Sequence, residues 1–193
     1  MFLSTMIFLS ASLPSPGKEN YYETADAMAI HAAVRAAVLV VAPKARLIWG
    51  GHPAITTMVH HTIGRMSAES RELLTVYQSD YFKSVFPKEQ QFFKHVISVP
   101  ETPDKKISIT RMRHQMIEEN NFKAALFIGG MKGVEKEYEI FRQAHPHALL
   151  IPVASTGGAA KIIYEQMDIK PDERLQYDYE YIPLFQSLLQ EHL

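Results

Sequence analysis

Apolar residues gather in short runs bounded by Gly, Pro or polar clusters. The runs are Ile7–Ser12, Arg46–Trp49, Leu73–Gln78, His95–Val99, Ala124–Ile128 and Ala148–Val153. Each has strand length. The first extends to Met6–Ser12 and runs into turn residues at Pro14–Gly17. Longer segments between the runs space their apolar residues as a helix does. Tyr22–Ala42 carries Met28, Ile30, Val34, Val38 and Val41, and Ile107–Glu119 carries Ile109, Met112, Met116 and Ile117. Ala54–Met66 follows Pro53, a residue suited to a first helical turn. Val134–Ala144, Gly158–Gln166 and Ile182–Leu193 complete the set. Strands alternating with helices predict right-handed βαβ units. The expected fold is therefore α/β, a three-layer Rossmann-like parallel sheet with helices on both faces. With no repeat or linker, residues 1–193 read as one domain. Lys170–Tyr181, polar and Tyr-rich, reads as a surface excursion before the last helix.

Composition narrows the function classes. Of 193 residues, 47% are hydrophobic and 21% charged, which suits a packed core and not a disordered chain. Twenty Lys and Arg against 21 Asp and Glu give a net charge of -1, so neither a nucleic-acid coat nor a polybasic membrane binder is expected. Cys is absent, which removes disulfides, thiol nucleophiles and thiolate metal sites. The apolar start, Met1–Ser15, has no Lys or Arg before Lys18, unlike a secretion leader, and Ala36–Ala42 is too short to span a membrane. A cytoplasmic location is expected.

Ligands of open α/β sheets bind beyond the carboxyl ends of the strands, where helix N-termini offer free N–H groups. Four of these ends are rich in Gly or Ser: Ser10-Ala11-Ser12 after the first strand, Gly50-Gly51-His52-Pro53 after the second, Gly129-Gly130-Met131-Lys132-Gly133 after the fifth, and Ser155-Thr156-Gly157-Gly158 after the sixth. Tight turns alone would use the same glycines. Neither a G-x-x-x-x-G-K-S/T phosphate loop nor a G-x-G-x-x-G dinucleotide turn follows the first strand. The segment Ala125–Ile140 is the most informative. A strand meets Gly129-Gly130, and a helix opening at Gly133-Val134 presents Glu137 one turn in. A carboxylate there would repel phosphate but would accept hydrogen bonds from a ribose diol.

These residues resemble the SLOG superfamily, which includes DprA-type proteins and the cytokinin-activating LOG phosphoribohydrolases. The LOG hallmark Pro-Gly-Gly-x-Gly-Thr-x-x-Glu is altered here. Ile128 replaces Pro, Val134 replaces Thr, and one extra residue separates the glycines. The chain is more similar to the SLOG branch that accompanies Sir2 and TIR domains in bacterial defence, as in the Thoeris system. The matching features are Phe8-Leu9-Ser10-Ala11-Ser12, Gly50-Gly51-His52-Pro53, Arg113-x-x-Met116-Ile117, Phe127-Ile128-Gly129-Gly130-Met131-Lys132, Gly133-Val134-x-Lys136-Glu137-Tyr138 and the stretch Ile151–Ala160. The resemblance implies a sensor of an NAD-derived nucleotide, a cyclic ADP-ribose isomer made by a TIR enzyme. It also implies Arg113, Lys132 and Glu137 as ligand contacts. Guanidinium, ammonium and backbone donors suit a pyrophosphate. Taken singly, Arg113 fits a solvated helix face, Lys132 a loop cation and Glu137 an exposed helix position. The alternative function is a nucleotide N-glycosidic hydrolase or transferase using Glu137 and Arg113. A DprA-like nucleic-acid binder would need a basic stripe, which the charge balance does not offer.

The expected ligand set is Ser10, Ser12, Gly50, Gly51, His52, Asp80, Arg113, Gly129, Gly130, Lys132, Gly133, Glu137, Thr156 and Gly157. Tyr77–Phe82 could stack on an adenine or fold back onto the core. Tyr21 and Tyr22 could line the same mouth. Trp49, Met112 and Met116 read as core. His60-His61 and His145-x-His147 read as surface residues and not as a metal site. No cofactor is expected. The expected partners are a nucleotide second messenger, further copies of the chain and a separate effector, with no nucleic acid and no membrane. The stretch 172–181 suggests an oligomer surface.

Overall fold

The computed structural model describes residues 5–193. The leader reading drew partly on residues 1–4, which lie outside them. The strands are β1 (Met6–Ser12), β2 (Arg46–Gly50), β3 (Leu74–Ser79), β4 (His95–Val99), β5 (Ala124–Gly129) and β6 (Leu149–Val153). All pair in parallel, in the order β4-β3-β2-β1-β5-β6. The helices are α1 (Glu19–Tyr22), α2 (Ala27–Val41), α3 (Pro53–Ile63), α4 (Ala68–Glu72), α5 (Lys105–Glu118), α6 (Lys132–Ala144), α7 (Gly158–Gln166) and α8 (Tyr181–Leu188). This is the three-layer Rossmann-like arrangement that the strand–helix alternation predicts.

Strands of such a sheet are covered on both faces, and side chains alternate between them. Ile7, Leu9, Leu47, Trp49 and Leu126 point to one side, where α2, α3 and α8 pack. Phe8, Ile48, Ala125 and Phe127 point to the other, under α5, α6 and α7. Phe8 stacks on Phe141 of α6, with ring centroids 5.4 Å apart and planes at 7°. Trp49 lies in the core as expected, donates its indole N–H to Thr56 at 3.3 Å and meets the edge of Phe93.

Several expected boundaries move, each for a local reason. The helix expected over Tyr22–Ala42 breaks before Asp26, whose carboxylate caps α2 by accepting from the Met28 and Ala29 N–H groups at 2.9 and 3.0 Å. Met28 then faces solvent. Asp26→Ala should cost about 1 kcal/mol and lower the Tm in calorimetry by roughly 3 °C. An unchanged Tm would mean that the cap contributes nothing. Ser67 and Asp104 cap α4 and α5 in the same way, and neither was read as a cap. The chain between β3 and β4 forms two 3-10 turns, Asp80–Val85 and Lys88–Phe92. Lys170–Tyr181 is only partly a surface excursion. Leu175 and Tyr181 are buried in the core, while Tyr177 and Tyr179 are exposed. Among the described residues, no helix is long and apolar enough to cross a membrane.

Candidate functional site

Strand order creates the site. From β1 the chain steps outward to β4, then α5 carries it back across the sheet to β5 on the other flank of β1. The order reverses at β1, and beyond such a reversal a crevice opens at the carboxyl ends. A cleft of about 340 Å³ lies there. Its walls come from the ends of β1, β2 and β3, the first turns of α3 and α6, the middle of α5 and the turn at Phe82–Phe86.

The charged end of the cleft follows from two periodicities. Ser10 lies two residues beyond Phe8 and so faces α6. Glu137 falls between Val134 and Phe141, the buried stripe of α6, and therefore points at the sheet. The Ser10 hydroxyl donates to Glu137 Oε2 at 2.6 Å. Arg113 belongs to the inner face of α5 with Met116 and Ile117, and its Nε–H donates to Glu137 Oε1 at 3.0 Å. The two side chains are only 15% and 13% exposed. Among the described residues no other protein acceptor takes an Arg113 N–H, so four of its donors remain free to meet an anion. Gly133 makes room for it: a Cβ there would stand 2.8 Å from a guanidinium nitrogen.

Two helix N-termini open on the same space. Neither α3, which begins after His52, nor α6, which begins after Met131, has a side-chain cap. Pro53 opens α3 without an N–H, and the Val134 N–H donates to the Met131 carbonyl at 2.8 Å, which leaves the N–H groups of Ala54 and Ile55 in α3 and of Lys132 and Gly133 in α6 uncapped. His52 lines the cleft. Burial lowers its pKa, against a smaller opposing pull from the Glu137 charge, so the ring is neutral at pH 7.

The expected residues divide. Ser12, Gly50, Gly51, His52, Arg113, Gly133 and Glu137 meet in the cleft, with Ser10 behind them. Gly129, Gly130, Thr156 and Gly157 do not line it. Gly129 and Gly130 have φ of +56° and +88°, and a Cβ on either would run into Ile30 or Val134. The Gly129 N–H donates to the Thr156 hydroxyl (2.8 Å), whose own proton goes to the Val153 carbonyl (2.6 Å). The start of α7 is closed by the protein itself: Gly158 N–H donates to Thr24 Oγ1 at 3.0 Å and Ala159 N–H to the Gly130 carbonyl at 2.9 Å. The fourth glycine-rich turn is thus packed, not open. Lys132 Nζ is largely exposed outside the cleft and pairs with Glu135 at 2.6 Å. Asp80 starts a 3-10 turn and is not in the cleft wall. Tyr21 lies beside Glu135, and burial and that neighbour raise its pKa. It and Tyr22 stand outside the mouth.

The stretch after β3 divides too. Tyr77 is buried and accepts from Asn120 Nδ2 at 3.0 Å, whereas Gln78, Ser79 and Phe82 line the cleft. Met112, expected in the core, also lines it, while Met116 is fully buried. His60 stacks on Phe92, and His145 Nε2 sits 2.8 Å from the Ile117 carbonyl. Among the described residues, no group of three metal-type side chains gathers.

Comparison with known proteins identifies a family. The model of the SLOG cluster3 family matches residues 20–189. No curated protein and no solved structure matches.

Proposed function

The chain belongs to the SLOG cluster3 family, a nucleotide-related group of Rossmann-like domains, and on that premise we propose that it is a receptor for an NAD-derived nucleotide, ADP-ribose or a cyclic isomer of it. The observation that carries this reading is the Arg113–Glu137–Ser10 cluster at the crevice where the strand order reverses. A guanidinium with four free donors, flanked by two uncapped helix N-termini, suits a diphosphate. The carboxylate beside it suits a ribose diol. Lys132 joins the ligand set only if its ammonium leaves Glu135. The apolar wall of Phe82, Phe86 and Met112 leaves room for a flat ring.

The proposed biological role is that of a sensor in bacterial anti-phage defence. A TIR-type enzyme supplies the signal, and further copies of the chain or a separate effector relay it. No cofactor is needed for this role. Titration calorimetry of the folded protein with ADP-ribose and its cyclic isomers tests the reading. Saturable heat with at least one of them, and recovery of that nucleotide unchanged by mass spectrometry, is the expected result. Absence of heat with all of them overturns it. Release of free base would favour the N-glycosidic hydrolase or transferase.

A further inference from the structure

Where β2 and β3 end, the cleft lining holds polar atoms that nothing among the described residues satisfies. Ser79 ends β3 and is 1% exposed, yet its hydroxyl has no hydrogen-bond partner among the described residues. His52, just past the end of β2, has a buried Nδ1 that is equally unpartnered. Gly50 and Tyr77 are register partners on β2 and β3, and His52 and Ser79 each lie two residues further on. Both line the cleft. Buried polar groups of folded proteins are almost always paired. Two orphans at adjacent strand ends, one preceding the uncapped start of α3, therefore point to a missing partner. Gln78, from the same strand end, is held by its amide N–H to Gln90 Oε1 at 3.1 Å. Phe82 and Phe86 supply flat apolar surface beside them.

We propose that His52 Nδ1 and Ser79 Oγ form a ring-reading subsite that takes the neutral hydrogen-bonding edge of a heteroaromatic group. The inference rests on the nucleotide-receptor reading and assigns the part of the ligand that Arg113 and Glu137 do not hold. The chemistry selects the group. Among the described residues the one cation that lines the cleft is Arg113, already paired with Glu137, burial disfavours the charged form of His52, and a hydroxyl can both donate and accept. Phosphate would find little here, whereas a purine or a nicotinamide carboxamide offers a donor and an acceptor on one flat edge.

The test uses wild type, Ser79→Ala and His52→Ala with three probes: ADP-ribose, nicotinamide mononucleotide and ribose 5-phosphate, the last lacking a ring. Ser79→Ala removes a hydroxyl with no partner in the free protein, so its Tm is expected to stay level or rise. The His52 side chain makes no capping bond, so α3 keeps its start in that variant. Each variant is expected to bind the ring-bearing probe about tenfold more weakly, with ribose 5-phosphate unchanged. Loss for ADP-ribose alone assigns the ring as adenine, and loss for nicotinamide mononucleotide alone assigns it as nicotinamide. Unchanged binding of both ring-bearing probes overturns the subsite and leaves the receptor reading intact. A lower Tm for Ser79→Ala overturns it as well, because the hydroxyl would then have a structural partner. Wild type that binds none of the three probes and none of the cyclic isomers of ADP-ribose overturns both readings together.

Discussion

Arg113→Ala is expected to weaken ADP-ribose binding at least about 100-fold, because it removes the only cation that lines the cleft among the described residues. It also leaves the Glu137 carboxylate with Ser10 alone. A sealed ion pair broken on one side costs 3–5 kcal/mol. Here both partners reach the cleft, so about 2 kcal/mol is expected. Glu137→Gln keeps the shape and the Ser10 contact while removing the charge, and should cost less in stability. The double variant Arg113→Ala with Glu137→Gln separates the two effects. Its Tm should recover toward wild type, since no carboxylate is stranded, while its affinity stays low. Calorimetry and differential scanning measure both. An Arg113→Ala protein that binds ADP-ribose as wild type does would remove this cluster from the ligand set.

The largest loss of stability is expected from Gly157→Ala. Gly157 has φ +70° and ψ −159°, a region open essentially to glycine alone. Its missing Cβ faces the Thr24 carbonyl, a backbone group that cannot rotate away. Strain and overpacking together should cost about 4 kcal/mol and lower the Tm by on the order of 10 °C. The residue does not line the cleft, so protein that still folds should bind ADP-ribose nearly as wild type. A Tm within a degree or two of wild type would show that the turn before α7 yields easily. A large affinity loss in folded protein would return Gly157 to the ligand set, where its motif alone had put it.

The contrast shows what the sequence can convey. The strands were legible because buried parallel strands are short apolar runs, and Ile7–Leu9 or Ala124–Ile128 have few other readings. Helix starts were less legible. Asp26, Ser67 and Asp104 act as caps only once the following residues wind, and each also reads as an ordinary loop polar. At the site, glycine signalled close approach without saying to what. Gly133 makes room for Arg113, whereas Gly129, Gly130 and Gly157 make room for the protein's own chain. Glu137 carried an available signal in its place on the Val134–Phe141 stripe, and that stripe excludes an exposed position. Its contact with Arg113 depends on how α5 and α6 lie on the sheet, which no local window contains. Ser79 and His52 were hidden for a similar reason, since an orphaned hydroxyl is recognised only when everything around it has been placed.

The central strand has a bearing on how the protein comes into being. Phe8 pairs on one side with Ile48 and on the other with Ala125. During synthesis the first edge of β1 is therefore covered early, while the second waits for a partner more than twice as far along the chain. Until then a row of unpaired amides in an apolar strand lies open to any other extended segment nearby. Closing that distant pair is slow by its nature. The cleft shares the delay, because Arg113 and Glu137 reach Ser10 only after β5 docks. If the receptor reading holds, newly made chains are expected to pass through a stage with an open strand edge and an incomplete cleft, so that aggregation during refolding and late acquisition of ADP-ribose affinity go together.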